Sequence, residues 1–188
     1  GADIAAVHDA LPVAGPGHED ARGTPGKVRD AINQNFRQVR PYLRESADIA
    51  QLNRLEEQAW QDFHRHERVL WSRYASGLVR ECHGDLHLGN IVLLAGRALA
   101  FDAIEFNPAL SWIDVMNEMA FLVMDCASRG HGGAGFVALN AWLERTGDYA
   151  GLVLLDFFCA YRAMVRAKVS VLGAGRPPVA SGSAAHIA

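Results

Sequence analysis

The sequence predicts a mainly helical domain of the α+β class that carries one small β-hairpin. Three observations lead there. Long stretches repeat apolar residues three and four apart, and two short apolar runs flank a turn between residues 91 and 104. Between the helical stretches and those runs sits a loop dense in polar side chains, ECHGDLHLGN (81–90). At 188 residues the chain suits one sizeable domain.

The elements follow in order. Residues 2–10 read as a short helix that stops at Pro12, and 11–27, rich in Gly and Pro, as an irregular connection. Val28, Ile32, Phe36 and Val39 recur at helical spacing up to a break at Pro41. From Ser46 a long amphipathic helix runs through Ile49, Leu52, Leu55, Ala59, Phe63, Val69 and Leu70 to a stop at Gly77. After the polar loop come strands at 91–94 and 98–104, joined by a turn at AGR (95–97). A helix from about Ser111 to 128, a second after a Gly-rich break, and a long apolar third (148–173) complete the domain over 1–172. Residues 173–188 read as a flexible tail.

Composition narrows the function. A formal net charge of −3 argues against a nucleic-acid groove, which needs a basic excess. No apolar run approaches the ~20 residues of a membrane span, and the first segment lacks the basic start of a signal peptide. Cys82, Cys126 and Cys159 are odd in number and widely spaced, which fits a reducing cytoplasm. The chain opens at Gly1 without an initiator Met, and we expect it to be a part of something longer.

Two chemistries compete for the polar loop. His83-x-Asp85-x-His87 offers three alternating ligands for a metal hydrolase, but such a site needs further ligands. His64 and His66 lie about 200° apart on a helix and do not chelate together. The other chemistry is phosphoryl transfer. Asp85 and Asn90 stand five apart, as do a kinase's proton-accepting Asp and Mg²⁺-holding Asn, and His83 stands two before Asp85. A second acidic metal ligand should follow at a strand end, and Asp102 stands there. The loop and the strand together favour phosphoryl transfer.

HGDLHLGNIVL followed by FDAIEF closely resembles the catalytic core of the aminoglycoside phosphotransferase family, which has the protein-kinase-like fold. The resemblance covers residues 78–126, and the helical surroundings fit as far as 172. It implies a transferase, an ATP- and Mg²⁺-dependent kinase acting on a small-molecule hydroxyl. Asp85 would be the catalytic base, and Asn90 and Asp102 the Mg²⁺ ligands. His83 would support the loop, His87 would stand in its second shell or at the substrate's edge, and Asp114 would steady the loop by hydrogen bonding. Glu105 would help order the metal site or a neighbouring loop. FDAIEFNP resembles in particular the branch fused to a C-terminal P-loop ATPase-like domain.

The chain departs from the family upstream of the loop. A kinase needs a β-rich N-terminal lobe with a Gly-rich loop and a strand lysine, whereas residues 1–80 are helical in pattern and hold only Lys27. Gly130-x-Gly132-x-x-Gly135 follows a helix and reads as a connection between helices. The expectation is a kinase-like C-terminal lobe, inactive alone. A non-catalytic binding or regulatory module and a zinc hydrolase are the alternatives. At about 100° per residue, Asp114, Glu118 and Asp125 share one face of the helix expected from Ser111. They read as structural, with Arg162 or Arg166 as partners; an acidic pocket for a cationic substrate is the other reading of Glu118 and Asp125.

Overall fold

The computed structural model describes residues 1–15 and 22–174. Residues 16–21 of the expected connection and 175–188 of the expected tail lie outside the described residues.

The architecture is mainly helical, with two small two-stranded sheets. Helix α1 (Ala2–Ala10) comes first and α2 (Pro25–Val39) next, where Pro25 occupies the first turn and its missing N–H costs nothing. Pro41 ends α2, as expected, and a 3-10 turn (Arg40–Tyr42) redirects the chain into α3 (Ser46–Ala75). After β1 (Val79–Glu81) and the polar loop come β2 (Ile91–Leu94), β3 (Arg97–Ala100), α4 (Pro108–Ser111), β4 (Trp112–Asp114) and α5 (Val115–Ser128). Helix α6 (Gly132–Thr146), a 3-10 segment (Tyr149–Leu154) and α7 (Leu155–Ala174) follow.

Helix α5 is the centre of the domain. Only Met124, Ala127 and Ser128 of its fourteen residues fall outside the buried set. It packs against α6 and α7, while α2 lies across α7 and α1 across α6. Phe121 of α5, and Trp142 and Phe158 of the helices packed with it, are fully or almost fully buried. Burying such aromatic side chains is the main favourable term in the fold.

Four features differ from the sequence reading. The helix expected from Ser111 is three pieces: α4, then β4, which pairs antiparallel with β1, then α5. Asp114 is therefore not inside a helix but caps α5, accepting the Met116 N–H at 2.8 Å. The second hairpin strand ends at Ala100 rather than 104, because Phe101 and the residues after it turn back onto the polar loop. The last helix begins at Leu155, after a 3-10 segment, and runs to Ala174. The hairpin turn is the two-residue Ala95-Gly96, both at positive φ (50° and 78°), which matches the strand twist. The glycines at 130–135 join α5 to α6 as expected.

A buried ion-pair cluster ties these pieces together. Arg73, near the end of α3, is 5% exposed. It grips Asp114 with two bonds (2.7 and 2.8 Å) and Asp148 with two more (2.7 and 2.6 Å). Burial works against the guanidinium charge, but the bonds from Asp148 and Asp114 outweigh it and hold Arg73 above its usual pKa. Asp114 thus joins α3 to the β4–α5 junction, and Asp148 adds the α6–α7 connection.

Arg73→Met leaves two buried carboxylates without their cation and should cost about 3–5 kcal/mol in urea unfolding. Adding Asp114→Asn and Asp148→Asn to that variant should restore part of the loss. An unchanged midpoint in the single variant would show that the cluster holds nothing.

Candidate functional site

The loop 82–90 is built around Gly84. Its φ is +81°, and a Cβ there would stand 2.7 Å from the Leu110 carbonyl oxygen, so only glycine fits between His83 and Asp85. Its peptide groups are clamped from both sides. The Gly84 N–H donates to Glu118 Oε1 at 2.7 Å, and Arg162 Nη1 donates to the Gly84 carbonyl at 3.0 Å. Arg162 is 6% exposed, donates Nε to Asn117 Oδ1 at 2.7 Å, and lies over the Phe121 ring. Burial lowers its pKa, and the nearby Tyr161, Glu118 and Asp85 oppose that shift.

Glu118 is held in turn. Trp142 Nε1 donates to His8 Nδ1 at 3.1 Å, so the His8 proton sits on Nε2 and goes to Glu118 Oε2 at 2.8 Å. A chain of hydrogen bonds therefore runs from α6 through α1 and α5 to the loop. His8, Cys82 and Glu118 are the one group of potential metal ligands that converge among the described residues. Both His8 nitrogens are already committed, and burial raises the Cys82 thiol well above its usual pKa, so the cluster is structural.

Further along, Leu88 N–H donates to Asp125 Oδ2 at 2.9 Å, and Arg129 Nε meets the same oxygen at 3.0 Å. Glu118 and Asp125 thus bind loop amides from the buried face of α5. Asp114, expected to steady the loop, instead bonds Arg73 and the Met116 N–H. Arg162 meets Asn117 and the loop rather than a carboxylate.

The chemical residues come together around Asp85. Asn90 Nδ2 donates to the Asp85 carbonyl at 3.0 Å and to Asp85 Oδ2 at 3.2 Å. His87 Nδ1 accepts the Gly89 N–H, leaving Nε2 to face Asp85 Oδ2 at 3.4 Å. Both contacts fall on Oδ2, so Oδ1 is the oxygen left to accept a proton. The Asp85 side chain is 41% exposed, whereas Asn90 is buried.

Asp102 arrives by the hairpin. Phe101 N–H donates to the Asn90 carbonyl, His83 Nε2 to the Phe101 carbonyl at 2.8 Å, and Ile104 N–H to the His83 carbonyl. Asp102 is bracketed by these bonds and takes a left-handed conformation, φ 63°, which Asp tolerates. His83 is therefore a support for the loop: its Nδ1 accepts the Asp85 N–H and its Nε2 donates to the Phe101 carbonyl, so both ring nitrogens are spent on the chain itself. Asp85, Asp102 and Glu105 all line one cleft of about 760 Å³ between α2, α7 and the segment after the hairpin. Arg162, Tyr161 and Lys168 of α7, and Asn35 of α2, form its other walls.

No family model matches the chain, and no solved structure matches it. Its similarity is to uncharacterized proteins of Mycobacterium tuberculosis and Mycobacterium bovis, 29% identical over 170 residues. The alignment takes in 89% of this chain and 34% of theirs. The chain spans about a third of the length of the curated relatives it matches.

Glu118→Gln places an amide N–H₂ against either the Gly84 N–H or the His8 Nε2–H. It should cost about 1–3 kcal/mol and speed hydrogen exchange at the Gly84 amide in NMR spectra. Exchange at Gly84 as slow as in the parent chain would rule out this clamp.

Proposed function

We propose that the chain is the catalytic-loop lobe of an ATP- and Mg²⁺-dependent phosphotransferase that acts on a small-molecule hydroxyl, as the resemblance to the aminoglycoside phosphotransferase family implies. The observation that carries the reading is the joint placement of Asp85, Asn90 and Asp102. The Asn90 amide holds the Asp85 carboxylate, and the hairpin return brings Asp102 to the cleft that Asp85 lines.

In the proposed reaction Asp85 accepts the hydroxyl proton as that oxygen bonds to the γ-phosphorus and the bond to the ADP oxygen breaks. Asn90 and His87 fix Oδ2, which leaves Oδ1 for the proton. Asn90 and Asp102 suit a hard divalent cation, because both offer oxygen and Asp102 makes no ion pair among the described residues. Mg²⁺ bound there would neutralise charge on the β- and γ-phosphates. His83 supports the segment that carries Asp102, and the Glu118–Arg162 clamp keeps the loop rigid.

The reading also needs a lobe that holds the nucleotide, to be sought in the longer protein. The hairpin and the segment after it leave Leu93, Leu94 and Phe106 between 64% and 82% exposed, an apolar surface suited to such a lobe. The greater length of the relatives leaves room for it and for a C-terminal P-loop ATPase-like domain. A cytoplasmic location belongs to the same proposal. The three cysteines are free, and no helix among the described residues is long and apolar enough to cross a membrane.

Asp85→Asn in the longer protein should lower phosphorylation about 10²–10⁴-fold while the unfolding midpoint stays within error. The 188-residue chain alone should show negligible turnover. Full activity of the Asn variant would remove Asp85 from the chemistry and the reading with it.

A further inference from the structure

The cleft that holds Asp85 has a second, basic end. Lys168 lines it from α7, six residues beyond Arg162, about 9 Å along the helix. Arg162 itself is bonded to the carbonyl next to Asp85. Lys168 Nζ donates to Asn35 Oδ1 at 2.6 Å, and no carboxylate pairs with it among the described residues. Burial lowers the ammonium pKa with no opposing charge, so the acids at the far end of the cleft do not compensate it.

Asn35 supplies an independent observation. It is 2% exposed, and the bond from Lys168 identifies Oδ1 as its acceptor end. Its Nδ2 is therefore a buried donor, and it has no partner. A cation lacking an anion and an amide lacking an acceptor stand side by side on the wall of one cleft. The ammonium is completed by an oxygen that carries negative charge; the Asn35 Nδ2 is shut off from solvent, so the part of the amide is to hold Lys168 through Oδ1.

We propose that the cleft binds a hydroxylated small molecule bearing a carboxylate or phosphate, with the anionic group at Lys168 and a hydroxyl at Asp85. The hydroxyl end rests on the phosphotransferase reading; the anionic end does not.

Calorimetric titration of the 188-residue chain tests the anionic end directly. The probes are glucose 6-phosphate, gluconate, glucose and ADP. At least one of the two sugar acids should bind while glucose does not. Lys168→Gln, which can still donate to Asn35 Oδ1, should weaken that binding about tenfold or more with little change in unfolding midpoint. Equal affinity in parent and variant, binding of glucose alone, or binding of neither acid would overturn the proposal. Dependence on Lys168 for ADP alone would overturn it too, by giving the anion end to nucleotide. Failure of the phosphotransferase reading would show instead in the turnover of the Asp85→Asn protein, with Lys168-dependent binding intact.

Discussion

The Gly84 peptide groups sit where four helices meet. Glu118 of α5 takes the Gly84 N–H and Arg162 of α7 takes its carbonyl, while His8 of α1 and Trp142 of α6 hold Glu118 in place. The loop cannot shift without breaking a buried, charge-assisted bond on one side or the other. Asp85 is the next residue, so its position is set by the core of the domain rather than by the loop's own preferences. That inverts the usual arrangement of a mobile loop on a rigid frame.

The polar groups inside the core also settle how α5 is oriented. A helix that is apolar on nearly every face can rotate about its axis with little change in burial. Asn117, Glu118 and Asp125 remove that freedom, because their partners are fixed in place: Arg162 for Asn117, Gly84 and His8 for Glu118, Leu88 and Arg129 for Asp125. Arg73 does the same for the α5 start through Asp114. Buried charges of this kind contribute little net stability against an apolar core. Here they act on orientation and register, and they transmit that choice to the loop.

Much of this was legible in the sequence where the signal is local. Helical periodicity located α2, α3 and α5 to within a few residues, Pro41 and Gly77 marked helix ends, and the hairpin followed from two apolar runs and a turn. Asp85, Asn90 and Asp102 stood out by spacing; the structure bonds Asn90 to Asp85 and puts Asp85 and Asp102 on one cleft. The strand β4 was hidden because SWIDVMNEM is apolar enough to read as helix throughout. Asp114, a residue type favoured at the N-cap, was the one local hint of a helix start there. The partner strand β1 is three residues long, too short for an alternation to register. His8 lies 110 residues from Glu118, and Asn35 lies 133 from Lys168. Pairings over such separations leave no trace in periodicity, and only the packing of α1 and α2 against the rest reveals them.

The β2–β3 hairpin joins Asn90 to Asp102 through a register in which Ile91 faces Ala100 and Leu94 faces Arg97. Because the two residues that flank the hairpin base are bonded to each other, Phe101 N–H to the Asn90 carbonyl, everything beyond them is a spacer. Over evolutionary time such a spacer can lengthen or shorten by two residues on each strand, the repeat of the antiparallel ladder, without moving either end. A change on one strand alone forces a bulge and turns the following side chains to the opposite face. Among homologues, therefore, the gap between these two positions should vary in even steps, and its parity, more than its length, is the trace that selection leaves.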